Sequence, residues 1–189
     1  MATVESIPGQ LRQLAADLWQ VPSEVRQPGG VRMPVNMTLI RVPSGLALVS
    51  PVAIDDMLAE QIATLGEVRE LVSPSCLHHR YLDAAHKRWP AARVLAPPGL
   101  ATKRPELHID AELPGSMPEG WRGHLDAVVV GGAPKLGETV LFHRASATLV
   151  CADLVFNIKR EPYDAPDARA QLARALSRMA GALPAPART

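Results

Sequence analysis

Aromatic side chains are scarce in this chain: two Phe, two Tyr and three Trp make up 4% of its 189 residues. A core must therefore come mainly from Leu, Val, Ala and Ile, and the 47% hydrophobic content is enough to supply one. Cysteine is nearly absent. Cys76 and Cys151 are too few for a disulfide framework, and free thiols fit a reducing compartment. Charge of one sign is also missing: the net value is +1, and no basic run is interleaved with aromatics. That excludes a global field recruiting nucleic acid or an anionic membrane. No apolar run approaches the roughly 20 residues of a membrane span. The first residues lack a basic region followed by an apolar run, so no signal peptide is expected. These absences together predict a cytoplasmic protein of one domain, residues 1–189, with neither nucleic acid nor membrane as partner.

Proline is present in number. Eighteen prolines lie mostly between apolar runs, which predicts short elements joined by stiff turns. Residues Gly9 to Val21 are mixed and fit a short helix or an edge strand, and Gln27–Gly30 reads as a loop. Met37–Val42 and Leu46–Val49 flank Pro43-Ser44-Gly45, the pattern of an antiparallel hairpin. Asp55 is placed to cap a helix running to Leu65, with Met57, Leu58, Ile62 and Leu65 on one face and Gly66 as its stop. Val68–Val72 reads as a strand ended by Pro74, His78 to Trp89 as a helix stopped by Pro90, and Arg93–Ala96 as a strand. The Pro- and Gly-rich stretch from Pro97 to Arg122 predicts irregular structure. Asp126–Val130 follows as a strand, then the turn Gly131-Gly132. Thr139–Phe142 and Ala147–Cys151 form a second hairpin, and Ala168 to Ala180 a terminal helix. Alternating strands and helices with hairpins at both ends predict an α/β fold with mixed sheets and flanking helices.

Two places carry chemistry. His78 and His79 stand at a strand–helix junction, where both rings can reach one site, although one core and one exposed ring is the plainer arrangement. Asp153 lies between the apolar runs Thr148–Cys151 and Leu154–Phe156. A carboxylate there is costly to bury alone, so it needs a partner: a metal, a His or backbone N–H groups. Cys76 and Cys151 adjoin these positions and are competent ligands, yet buried free Cys is more often core. Gly131–Pro134 has no following Lys-Ser/Thr and is not a phosphate loop. Ser73, Ser75 and Ser146 lack the context of a nucleophile elbow.

The order of these elements resembles the metallo-β-lactamase superfamily, and within it an uncharacterised subgroup known only as a domain of unknown function. Met37–Arg41, Leu48–Pro51, His78-His79, Ala96–Leu100 and Asp153–Asn157 carry the likeness, which spans about Leu18 to Asn157. It implies an αβ/βα sandwich of two mixed sheets flanked by helices. The family's motif His-x-His-x-Asp-His, aligned by its last His, falls on residues 74 to 79, so only His79 is kept. The family's next His ligand falls on Gly132, the bridging Asp on Asp153, and the last His has no counterpart. Pro74 and Gly132 offer no side-chain donor, so one of the two metal sites is lost. The other retains His78, His79 and Asp153, with His79 and Asp153 as the catalytic pair.

The resemblance thus implies one of two things. The first is a metal-dependent hydrolase with an at most mononuclear site, one zinc or other divalent ion acidifying a bound water. The second is a binding or scaffold protein of the same fold that has lost its metals. Either way the partner is an unidentified small molecule.

Overall fold

A computed structural model describes residues 6–26, 32–132 and 135–155 of the chain. The strands are β1 (Ser6–Pro8), β2 (Arg12–Ala15), β3 (Leu18–Arg26), β4 (Arg32–Val42), β5 (Gly45–Val49), β6 (Val68–Val72), β7 (Arg93–Ala96), β8 (Ala111–Glu112), β9 (Leu125–Val129), β10 (Thr139–His143) and β11 (Thr148–Val150). The helices are α1 (Asp56–Leu65), α2 (Leu82–Arg88) and α3 (Leu100–Lys103), with a 3₁₀ turn at Glu119–Trp121. An eight-stranded sheet runs β1-β3-β4-β5-β6-β7-β8, with β2 also paired to β3. Its first half is antiparallel; β5 through β8 are parallel. A three-stranded antiparallel sheet, β11-β10-β9, packs opposite.

Strand periodicity builds this sandwich. In β5, Leu46 and Leu48 face one apolar cluster, while Ala47 and Val49 face another. In β4, Leu39 joins the first cluster and Ile40 the second. Strands apolar on both faces suit the middle layer of a fold. The first cluster is completed by Leu58 and Ile62 of α1 and by Leu82 and Ala85 of α2. The second is completed by Trp121, Leu125 and Leu141 from the side of the small sheet. Among the described residues the layers are therefore helix, large sheet, small sheet. Leu39 and Leu48 are completely buried, and truncating either to Ala would cost about 2–5 kcal/mol.

The first hairpin, the Asp55-capped helix, the strands at Val68 and Arg93 and the second hairpin all stand where the sequence puts them. Asp55 accepts a hydrogen bond from Leu58 N–H at 2.8 Å. At Gly9–Val21, where the sequence leaves helix and strand both open, the strand alternative holds, giving β2 and the start of β3. Several expectations need correction. Met57 does not share the buried stripe; it is 72% exposed, because it falls outside the arc occupied by Leu58 and Ile62. The helix after the His pair begins at Leu82, not His78. Residues 78 to 81 form turns instead, with His78 N–H on Ser75 O and Leu82 N–H on His79 O. The 97–122 stretch is not wholly irregular; it holds α3, β8 and the 3₁₀ turn. The expected loop 27–30 and terminal helix 168–180 lie outside the described residues. No described helix is long and apolar enough to cross a membrane.

Candidate functional site at the strand ends

The parallel strands β5 and β6 end side by side, and Ser50 N–H ties them by bonding Val72 O at 2.8 Å. Carboxyl ends of parallel strands are where α/β folds place their ligands. Ser50 sits there with φ 57°, a left-handed backbone in a residue that is not glycine. Such a conformation costs on the order of 1–3 kcal/mol and persists only where surrounding structure enforces it.

After β6 the chain runs through Ser73, Pro74, Ser75 and Cys76, all buried. Backbone bonds clamp this loop: Ser73 N–H to Leu95 O at 2.9 Å, Thr139 N–H to Pro74 O at 2.7 Å, and Cys76 N–H to Leu136 O at 2.8 Å. It delivers His78 beside Asp153, which follows β11. His78 Nε2 stands 3.3 Å from Asp153 Oδ1, with the two side chains 19% and 13% exposed. His78 Nδ1 lies 2.7 Å from Ser50 Oγ. Ser75 Oγ donates to the other Asp153 oxygen at 2.7 Å. The partner that a buried Asp153 requires is thus a His, helped by a serine.

Glu138 fixes the acid from behind. Its carboxylate, 1% exposed, accepts Ala152 N–H at 2.8 Å and Asp153 N–H at 3.0 Å. Burial works against the charge on Asp153, but the hydrogen bond and charge of His78 and the bond from Ser75 outweigh it. The carboxyl therefore titrates below its ordinary value.

His79 turns elsewhere. It lines a polar recess of about 500 Å³ with Arg104 and Glu106. Arg104 Nη1 is 3.4 Å from both ring nitrogens, so it is directed at neither lone pair. Burial, then the cations Arg104 and Lys103, push the His79 pKa down. The resemblance implies His78, His79 and Asp153 as one ligand set. The structure brings together His78 and Asp153 and gives His79 a separate recess, because the chain turns rather than coils after residue 77. Among the described residues no group of three or more His, Cys, Asp or Glu side chains is arranged to hold a metal.

The donor set does not fit a resident zinc ion as it stands. Catalytic zinc takes three protein ligands. Here two donors face each other, and their remaining polar atoms are engaged by Ser50 and Ser75. Gly132, where the resemblance implies a ligand His, has φ 86° and open space around it. Cys76 and Cys151 are both free. Cys76 packs with Ala96 and Leu100, its Sγ 3.8 Å from Pro98 O, so it belongs to the core. His143 is a structural residue, buried with Nδ1 2.7 Å from Ser146 Oγ across the second hairpin turn. His86 and His108 stack with ring centroids 4.7 Å apart.

Sequence reasoning missed Ser50, Glu138 and Tyr81. Ser50 had a legible signal: a hydroxyl ending a buried strand just before Pro51. A cavity of about 320 Å³ opens on Ser50, His78 and Asp153. Val25, Val35, Val52 and Leu77 give it apolar walls, and Arg80 and Tyr81 add polar ones. The Tyr81 hydroxyl is buried and has no hydrogen-bond partner among the described residues.

The sandwich, with its site at the strand ends, is the metallo-β-lactamase fold. DIM-1 metallo-β-lactamase exposed to ceftazidime superposes with a TM-score of 0.66 at 16% identity, over 94% of this chain and 87% of that one. A metallo-β-lactamase from Pontibacter korlensis gives 0.62 at 14% identity, over 94% and 86%. The enzyme FIM-1 from Pseudomonas aeruginosa, in its mono-zinc form, gives 0.53 at 16% identity, over 71% and 64%. Within that fold, residues 23–180 match the model of the family described as a domain of unknown function, DUF4336, and the chain belongs to that family. No curated protein matches it.

Proposed function

We propose that this protein binds a small molecule in the cavity beside His78 and works there without a resident metal ion. The observation that carries the reading is that His78 and Asp153 pair with each other at 3.3 Å while Ser50 and Ser75 hydrogen-bond their remaining polar atoms, which engages the donors a metal would need. The ligand suited to the cavity has an apolar body, for the valines and Leu77, and a polar or anionic head, for Arg80 and Tyr81. The protein acts in the cytoplasm, where Cys76 and Cys151 stay reduced. Neither nucleic acid nor membrane is its partner.

The competing reading is a hydrolase with one divalent ion held by His78, Asp153 and His79. The place of Asp153 after the second hairpin favours it, as does the fold shared with lactamases. It requires the Ser50 and Arg104 contacts to be given up.

Two titrations separate the readings. Octanoate, a carboxylate on an apolar chain, should perturb the NMR signals of Tyr81 and His78 in chelator-treated protein. Zinc titrated calorimetrically should show no stoichiometric binding tighter than micromolar. Tight zinc binding lost in both His79→Asn and Asp153→Asn would overturn the proposal and establish the metal reading. Absence of any octanoate response would remove the ligand class.

A further inference from the structure

We infer that Ser50, His78 and Asp153 form a metal-independent nucleophilic triad that hydrolyses an ester with an apolar acyl group. This rests on the proposed ligand cavity and goes beyond binding. The geometry is a continuous chain. Asp153 Oδ1 stands 3.3 Å from His78 Nε2, an ion-pair contact that favours the proton on that nitrogen, and His78 Nδ1 faces Ser50 Oγ at 2.7 Å. That is the relation of nucleophile, base and orienting acid that acyl transfer needs. The ring is used the other way round from the best-known serine triad, where Nε2 serves the nucleophile. The acid is itself held by Ser75 Oγ and, through its backbone, by Glu138.

Two independent features point to a reacting ligand. The nucleophile occupies a left-handed backbone conformation immediately after a buried strand, at φ 57°. The Tyr81 hydroxyl, buried without a partner among the described residues, belongs to a residue on the wall of the same cavity. Arg80, on the wall of that cavity, is a donor for a carbonyl oxygen.

The chemistry balances with water alone. Ser50 Oγ bonds to the ester carbonyl carbon while its proton passes to His78 Nδ1. The carbon–alkoxy bond breaks, and the alkoxide takes that proton and leaves as an alcohol. Water then adds to the acyl–Ser50 ester, giving its proton to Nδ1. The bond to Ser50 Oγ breaks, the serine recovers the proton, and a carboxylic acid departs. Nothing is oxidised or reduced. The apolar residues Val25, Val52 and Leu77 would receive the acyl chain.

The test uses the full chain after chelator treatment. An alkyl fluorophosphonate should form one covalent adduct, mapped by tandem mass spectrometry to Ser50. 4-Nitrophenyl butyrate should turn over at a rate unaffected by chelator, and Ser50→Ala and Asp153→Asn should each reduce it by about 100-fold or more. The wild-type adduct decides the matter even if a variant folds poorly. An adduct elsewhere, no adduct, or turnover that zinc restores after chelation overturns the triad. If octanoate still perturbs Tyr81 while no adduct forms, the binding proposal survives and the triad alone fails.

Discussion

His78 and His79 share a peptide bond and almost nothing else. The first leans on a carboxylate and a serine; the second faces Arg104 and Lys103. Two lowered pKa values mark the contrast, and they mean opposite things. Asp153, the partner of the first ring, is an acid, so a lowered value records a charge that the fold favours. His79 is a base, so a lowered value records a charge that the fold refuses. One side of the turn gathers charge into hydrogen bonds, and the other keeps an imidazole neutral beside cations. The ligand set that the resemblance implies needs both rings on the first side.

The strongest way to break this contrast is to release the support behind Asp153. Glu138→Ala leaves Ala152 and Asp153 N–H groups without their charged acceptor. Stability measured by urea unfolding should fall by about 3 kcal/mol. A fall below about 0.5 kcal/mol, typical of an ordinary surface site, would show that the acid is not anchored this way.

Asp153→Asn should cost less, about 1–2 kcal/mol, since the bonds to His78 and Ser75 weaken but are not all lost. Its effect should depend on pH. With the folded-state pKa depressed, the wild-type advantage is complete above the ordinary value of 3.8. It is lost as pH falls through the folded value. Unfolding of both proteins at neutral pH and in acid should therefore show the two converging. A gap that widens in acid would contradict the assignment.

His79→Gln should act through pH rather than through any one contact. Above the ordinary value of 6.5 neither state of the wild type is protonated. Below it the unfolded chain takes a proton that the folded chain refuses, so wild-type stability declines as pH falls. The variant should decline less over the same range. The smallest change expected is from Arg104→Met, which removes a neighbouring cation. NMR titration should show the His79 pKa move up toward 6.5, and the substitution should leave the His78 chemical shifts at neutral pH unchanged. Movement of both rings together would mean that the two environments are not separate.

The fold was legible because its signals are local. Alternation in Leu46–Val49, the Asp55 cap and the Gly66 stop each name an element without reference to the rest of the chain. The need of Asp153 for a partner was legible too, since an acid between apolar runs is costly to bury alone. Which partner it takes was not. That depends on whether the chain coils or turns after Leu77, and a helix-like pattern at residues 78 to 81 gave way to the loop bonds from His78 to Ser75 and from Leu82 to His79. Ser50 was overlooked because its importance comes from a backbone angle and from residues 28 and 103 positions away in sequence. Glu138 was overlooked because a buried carboxylate bonding only backbone looks, in sequence, like any acidic residue in a turn.

Gly132 has a consequence for anyone wishing to place a histidine at that position. Its surroundings leave room for a side chain, since nothing lies within 4 Å of where a Cβ would stand. Space is not the obstacle; handedness is. At φ 86° a histidine would carry a strain of about 1–2 kcal/mol before it bound anything. Position 74 poses the converse problem: it is buried in the loop that aims His78, and its carbonyl holds Thr139. A designer who introduced a ligand at both positions would be straining one loop and repacking another, so the two substitutions should be attempted together with a backbone redesign of residues 131 and 132.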